Sequence, residues 1–212
     1  MMQRVSLPKQ KTNRFRSKWH RIILLTLSVI VACIWLGGFQ QQRLQALDVP
    51  TESVATTSTW QYASFPVENF QAYTSPFGYR ISPTSGKRQF HRGLDLAAPL
   101  GSYIRNWWTG QVVELSDDTA CGTLVAIQSG PWKHTYCHLS GHVETTAKGS
   151  YLIDRNGGIQ LWKGQQVPVG ARIGRVGMTG RTTGPHLHWG LMYGNSYVDP
   201  ALVLREMFKQ QT

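Results

Sequence analysis

The sequence predicts a mainly β, antiparallel sheet domain preceded by a single N-terminal transmembrane helix. From about residue 65 onward, frequent glycines separate short β-branched or aromatic runs such as GTLVAIQ, KHTYCHLS and HLHWGLMY. Short runs at nearly regular spacing favour antiparallel strands over alternating strands and helices. One later segment, DPALVLREMFKQ, has a helical pattern, with Asp199 as its expected cap and Pro200 at the first helical position. The transmembrane helix is predicted from the uncharged run 22–39.

The first 39 residues have the pattern of a membrane signal. Residues 1–21 hold seven of the basic side chains and no acidic one, and the next eighteen residues, Ile22 to Phe39, carry no charge. As a helix this run would be about 27 Å long, enough for the hydrocarbon core of a bilayer. Because basic residues stay in the cytoplasm, we expect one span in the inner (cytoplasmic) membrane and a domain on the periplasmic, extracytoplasmic side. Two alternatives are signal cleavage after Ala46 and a lipoprotein signal ending at Cys33.

The rest of the chain divides into a linker, a domain and a tail. Residues 40–64 are rich in Gln, Ser and Thr and predict a flexible linker. We expect the folded domain over residues 65–205 and a C-terminal tail over residues 206–212. After the basic segment 1–21, fifteen basic and eleven acidic side chains leave a charge of only about +4. This weak charge argues against nucleic acid as a partner, which needs a basic stripe.

Four histidines and one aspartate are candidates for metal chemistry. The segment GPHLHWG places His186 and His188 one residue apart, so on a strand both side chains face the same way, roughly 7 Å apart. His91 opens HRGLDLAAP, with Asp95 four residues later, and His138 lies in YCHLSGH at the end of an apolar strand. Imidazole and carboxylate groups are normal zinc ligands, and a catalytic zinc uses three of them. His91, Asp95 and one member of the H-x-H pair would complete such a set; the residues alone do not say which member.

The remaining histidines and the tryptophan pair have simpler interpretations. His134 and His142 lie beside a turn and a loop, where we expect solvated side chains. Adjacent strand residues face opposite ways, so one of Trp107 and Trp108 is expected in the core and the other along a groove.

Two cysteines flank a predicted hairpin. Cys121 and Cys137 lie on either side of GTLVAIQSGPWKHTY, which turns near Gly130-Pro131. In an exported domain the two thiols are able to form a disulfide, which would contribute roughly 3 kcal/mol in the chain-entropy model. Two buried free thiols are the alternative.

Taken together and in this order, SPFGYR, HRGLDLAAP, YCHLS and GQQVPVGARIGRVGMTGRTTGPHLHWG resemble the M23 family of zinc metallopeptidases, the lysostaphin-type peptidoglycan endopeptidases. The resemblance covers roughly residues 65–201 and implies a lysostaphin-type β fold with a substrate groove. It also implies one Zn²⁺ per chain and cleavage of peptide cross-links between the peptide stems of cell-wall peptidoglycan.

The resemblance also implies a role for each candidate residue. His91, Asp95 and His188 correspond to the metal ligands, and His138 and His186 to unligated histidines that assist catalysis. Unligated histidines can orient the attacking water, take its proton or stabilise the oxyanion, and the sequence leaves open which residue does which. The alternative is a catalytically silent M23-like module that binds the wall or regulates other wall hydrolases. The presence of all five residues favours the enzyme.

The sequence departs from the family pattern in two places. The loop SPTSGKRQF lacks the tyrosine that some members use toward the oxyanion, and we expect Lys87 or Arg88 as an electrostatic substitute. Trp189 and Gly190 follow the H-x-H pair, where an aromatic and an acidic residue are frequent. We expect this change to affect the groove and to leave the metal site intact.

Overall fold

The computed structural model of the chain describes residues 60–212. The predicted basic segment 1–21, the predicted transmembrane run 22–39 and residues 40–59 of the predicted linker lie outside the described residues. Within residues 60–212, no helix has the length and apolar character needed to cross a membrane.

Residues 60–212 form a mainly β, antiparallel structure, as the spacing of short apolar runs predicts. The strands are β1 (Ala72–Ser75), β2 (Gly78–Ile81), β3 (Arg88–His91), β4 (Leu94–Ala97), β5 (Tyr103–Arg105), β6 (Gly110–Ser116), β7 (Thr123–Ser129), β8 (Trp132–Leu139), β9 (His142–Thr146), β10 (Gly149–Asp154), β11 (Ile159–Trp162), β12 (Gln166–Val167), β13 (Arg172–Arg175), β14 (His186–Tyr193) and β15 (Ser196–Val198). Two 3-10 turns, Trp60–Tyr62 and Arg155–Gly157, and one helix, α1 (Pro200–Gln211), complete this part of the chain.

The central sheet positions the candidate site. Its eight strands run in the order β1-β4-β14-β8-β7-β6-β12, with β15 beside β14, while β9 to β11, β5 with β13 and β2 with β3 form smaller sheets. Strand β14 therefore lies between β4 and β8. In register, His188 is opposite Asp95 on one side and Cys137 on the other.

Side chains along β14 point alternately to the hydrophobic core and to the candidate site. Leu187, Trp189 and Leu191 are fully buried, whereas His186 and His188 lie on the other face and are half-buried. Both histidines thus face the same way, which confirms the prediction from the strand period of two.

Two fully buried tryptophans, Trp107 and Trp189, lie in the core beneath this face. Trp107 packs edge-on against Trp189 and Trp132, with ring centroids 5.8 and 5.5 Å apart. Trp107 is the buried member of its pair, as predicted, and Trp108 packs partly buried against the same core. Of the two residues that were expected to affect the groove, Trp189 faces the core instead, where its ring packs beside Trp107.

The two ends of the described chain pack together. Asp199 caps α1 by accepting a hydrogen bond from the Ala201 backbone N–H at 2.9 Å, as predicted. The helix continues through residues expected as a C-terminal tail, because Met207 is buried in the core. Near its end, the Gln211 amide donates to the carbonyl of Ala63. Residues 60–64, which the sequence assigns to the linker, are thereby held against the domain.

His134 is buried, contrary to the prediction of a solvated side chain. It is fully enclosed, with one ring nitrogen 2.8 Å from the Ser129 hydroxyl and the other 2.8 Å from the Tyr136 hydroxyl. The turn between β7 and β8 is so short that His134 lies opposite Ile127, inside the paired strands. Burial lowers the pKa of His134 to about 3.

Replacing His134 with glutamine should make the free energy of unfolding depend less on pH under acidic conditions. The unfolded chain binds a proton on His134 near pH 6.5, whereas the folded chain binds it only near pH 3. The contribution of neutral His134 to the free energy of unfolding is therefore complete above pH 6.5 and is lost as the pH falls toward 3. The corresponding slope is about 1.4 kcal/mol per pH unit. Glutamine keeps a donor and an acceptor but does not titrate, so the free energy of unfolding in urea should fall less steeply between about pH 6 and pH 4. If the free energy of unfolding has the same pH slope in the wild-type chain and in His134→Gln, the lowered pKa of His134 is contradicted.

Cys121 and Cys137 form the expected disulfide, with their Cα atoms 4.9 Å apart. The cross-link joins the loop that precedes β7 to β8 immediately before His138. Cys137 itself is buried.

Candidate metal centre and catalytic groove

Three strands bring His91, Asp95 and His188 together. His91 ends β3, Asp95 lies on β4, and His188 lies opposite Asp95 on β14. The Asp95 Oδ1 atom is 3.1 Å from Nε2 of His91 and 2.8 Å from Nδ1 of His188. The two imidazole nitrogens are 2.9 Å apart. These atoms form the one His, Cys, Asp or Glu cluster with metal-binding spacing within residues 60–212.

A glycine makes room for this convergence. A Cβ atom at Gly93 would lie 2.7 Å from both Nε2 and Cε1 of His188, and equally close to the carbonyl oxygen of Trp189. These distances are far inside van der Waals contact. The glycine between His91 and Asp95 therefore lets β4 approach the His188 ring.

The protonation pattern of the three donors fits a metal ion. The Nδ1 atom of His91 is 2.8 Å from the carbonyl oxygen of Pro76, which only accepts, so Nδ1 carries the proton and Nε2 presents a lone pair. Three electron-rich donors 2.8 to 3.1 Å apart repel one another unless a cation is shared among them. A tetrahedral zinc site has ligand-to-ligand distances of about 3.3 Å. The donor types therefore fit zinc, and their spacing fits it once the three atoms move slightly apart.

Electrostatics favour the ligating forms of Asp95 and His188. Burial by itself raises the pKa of Asp95, but the close approach of the His188 and His91 imidazoles outweighs it and holds this pKa well below its usual range. Burial lowers the pKa of His188. The carboxylate is therefore ionised and His188 neutral near neutral pH, the states that bind a metal.

A β-bulge aims His138 at the same site. Val125 pairs with Tyr136 and Thr123 with Leu139, so Leu124 alone lies opposite both Cys137 and His138. His138 adopts a left-handed backbone with φ 63°, which is uncommon for a residue with a side chain.

Hydrogen bonds hold His138 in this conformation. Its backbone N–H donates to the Cys121 carbonyl at 2.8 Å, and its carbonyl accepts from Gly177 at 2.9 Å. The imidazole Nδ1 lies 2.9 Å from the Thr179 carbonyl, so Nδ1 carries the proton and Nε2 presents a lone pair. Burial lowers the pKa of His138 to about 4, which keeps the ring neutral.

His186 has a matching arrangement on the other side. Its Nδ1 lies 2.8 Å from the Gly184 carbonyl, which again directs the lone pair to Nε2. That Nε2 is 3.7 Å from Asp95 Oδ1. The rings of His138 and His186 have centroids 4.9 Å apart, and the His138 ring lies 6.1 Å from that of His188, so both lie beside the three metal-binding donors.

A groove of about 460 Å³ contains all five residues. One wall is the β2–β3 hairpin, and the other consists of residues 120–121 and 181–183. Among the described residues, Trp108 does not line this groove, so the second tryptophan of the pair does not lie where the sequence predicts it.

The groove carries three arginines, none of them predicted. Arg80, Arg92 and Arg181 line it, whereas the expected substitutes Lys87 and Arg88 do not. The Arg88 guanidinium instead lies over the Tyr79 ring, 4.5 Å from its centroid. The strand period explains the correction. Arg80 and its partner Gln89 share the face of the hairpin that carries His91, whereas Arg88 lies on the opposite face with Tyr79.

Curated relatives have a similar sequence over the same region. Peptidoglycan DD-endopeptidase ShyA from Vibrio cholerae serotype O1 is 34% identical over 133 residues, which cover 62% of this chain and 27% of that protein. DD-carboxypeptidase/endopeptidase Mpg from Neisseria meningitidis serogroup B is 34% identical over 131 residues, covering 61% and 26%. The chain therefore matches about a quarter of the length of these relatives.

Solved structures have the same fold. The catalytic domain of lysostaphin from Staphylococcus simulans matches with a TM-score of 0.51 at 22% identity, over 70% of this chain and 97% of that one. A variant catalytic domain of the prophage-encoded M23 protein EnpA from Enterococcus faecalis matches with a TM-score of 0.50 at 28% identity, over 66% and 95%. The sequence model of peptidase family M23 matches residues 89–200, which include all five site residues. The chain belongs to peptidase family M23.

Proposed function

We propose that the chain is a zinc-dependent endopeptidase that cleaves peptide cross-links of cell-wall peptidoglycan. The observation that carries this proposal is the convergence of Nε2 of His91, Oδ1 of Asp95 and Nδ1 of His188 beside the rings of His138 and His186. Similarity to ShyA and Mpg, both named as endopeptidases, supports the choice of peptidoglycan peptide stems as substrate.

The proposed chemistry divides between the metal and the two unligated histidines. Zinc held by His91, Asp95 and His188 would supply Lewis acidity toward the scissile carbonyl and toward water. His138 and His186 present lone pairs at Nε2, each fixed by a backbone carbonyl at Nδ1. A neutral imidazole in this position accepts the proton of the attacking water and returns it to the leaving amine.

Digestion of purified peptidoglycan by the full-length chain tests the function. The proposal predicts release of peptides with new amino termini at the former cross-links, loss of this release in a chelator and recovery with added zinc. The identity of the new termini reports the bond that is cleaved. Binding to peptidoglycan without any new termini would instead support the silent wall-binding module.

We further propose that the enzyme is anchored in the inner membrane, with its domain on the periplasmic side. The support is the basic segment 1–21 followed by the uncharged run 22–39. In intact spheroplasts, added protease should digest a tag at the C-terminus. Protection of the tag, or a soluble exported product with a new N-terminus near Leu47, would overturn this proposal.

A further inference from the structure

Arg80, in the sequence SPFGYR, lies beside the candidate metal centre. Strand β2 pairs with β3 so that Gly78 is opposite His91 and Arg80 is opposite Gln89. From this position the Arg80 guanidinium reaches Asp95, with Nη2 3.5 Å from Oδ2. The side chain of Asp95 is only 9% exposed and that of Arg80 is 27% exposed.

The two oxygens of Asp95 have different partners. Oδ1 faces the nitrogens of His188 and His91 at 2.8 and 3.1 Å. Oδ2 faces Arg80, the single cationic side chain that residues 60–212 place within 4.0 Å of this atom. One oxygen is therefore directed at the metal-binding point and the other at a permanent positive charge.

We propose that Arg80 is a positioning residue that binds the second oxygen of Asp95, so that this carboxylate offers only Oδ1 to the metal. The inference rests on the proposed function, because it assumes that the site holds zinc. A catalytic zinc needs three protein ligands and a fourth position for water or substrate. A carboxylate that bound through both oxygens would crowd that fourth position.

The guanidinium is suited to this task. It is a cation whose planar N–H groups favour carboxylate oxygens. A partner of this kind fixes the orientation of a metal ligand, and loss of such a partner commonly weakens metal binding about 10–100-fold.

Arg80→Gln and Arg80→Lys in the full-length chain test the proposal. Zinc affinity is measured by competition with a chelator, and coordination by the visible spectrum of the cobalt(II)-substituted protein. We expect about 10–100-fold weaker zinc binding for Arg80→Gln. The cobalt spectrum should also lose intensity, as a four-coordinate site gains a fifth ligand. Arg80→Lys should recover part of both, since it keeps the charge without the planar fork.

Arg88→Gln is the matched control. It removes the same charge from the same hairpin, but Arg88 stacks on Tyr79 outside the groove, so zinc affinity and cobalt spectrum should stay at wild-type values. Thermal melting of the metal-free variants verifies that each has folded.

Three outcomes would overturn the inference. Zinc binding by Arg80→Gln within about twofold of wild type rejects it while leaving the proposed function intact. Weaker zinc binding with an unchanged cobalt spectrum rejects the single-oxygen role of Asp95. Failure of the wild-type chain to bind zinc overturns the proposed function and this inference together.

Discussion

His188→Ala should abolish zinc retention by the purified chain. The substitution removes Nδ1, one of three donors that converge within 3.1 Å of one another, and leaves His91 and Asp95 as the remaining pair. Since loss of a supporting partner already weakens metal binding about 10–100-fold, loss of a ligand should cost more than about 100-fold. Metal analysis after dialysis measures the result. Hydrolysis of peptidoglycan should disappear with the metal.

His142→Ala is the control for this experiment. His142 is also a histidine of the same domain, but its side chain is 52% exposed and lies 3.0 Å from Glu144, outside the groove. Its removal should leave one zinc per chain. Full zinc retention by His188→Ala would mean that the metal is held elsewhere and would reject the assigned ligand set.

The residue pattern alone predicts part of this site. The H-x-H spacing on a strand is sufficient to place His186 and His188 on one face, because the strand period of two is a local property. Their meeting with Asp95 depends on the pairing of β14 with β4, which joins residues 93 positions apart. Local patterns do not specify such pairing, so the residues alone leave the third ligand open between His186 and His188, and the family resemblance implies His188.

The position of His138 has a different origin. Simple alternation along β8 would place His138 on the same face as the buried Tyr136, but the bulge opposite Leu124 breaks the alternation and His138 lines the groove. The bulge depends on backbone bonds to Cys121 and Gly177, which are distant in sequence. No signal in YCHLSGH specifies it without the family pattern.

Strand pairing explains why His134 and the groove arginines depart from the sequence prediction. His134 was expected in solvent because it follows a turn, yet the turn is short and the strand partners enclose it. Lys87 and Arg88 were expected in the groove because they precede His91, whereas strand pairing brings Arg80 there instead. In each case the pairing of strands, which local sequence does not specify, decides which side chains are enclosed and which face the groove. Arg80 lies within SPFGYR, a motif of the family resemblance, but nothing in that motif indicates its contact with Asp95.

His138→Ala and His186→Ala should lose most peptidoglycan hydrolysis while retaining one zinc per chain. Neither residue belongs to the three converging donors, so the metal stays bound. Both present Nε2 as a proton acceptor beside those donors, and a general acid or base contributes about 10²–10⁴-fold to rate. We therefore expect kcat to fall by that factor in each variant, with zinc content measured on the same samples.

The double variant distinguishes a shared task from two separate ones. The rings of His138 and His186 have centroids 4.9 Å apart, close enough to act on the same proton. If they act as a unit, the double variant should lose little more activity than either single variant, because residues of one catalytic unit are strongly non-additive. If the loss of activity in the double variant equals the product of the two single losses, the histidines have separate roles, one toward the attacking water and one toward the oxyanion. Near-normal turnover in either zinc-loaded single variant would remove that histidine from the mechanism.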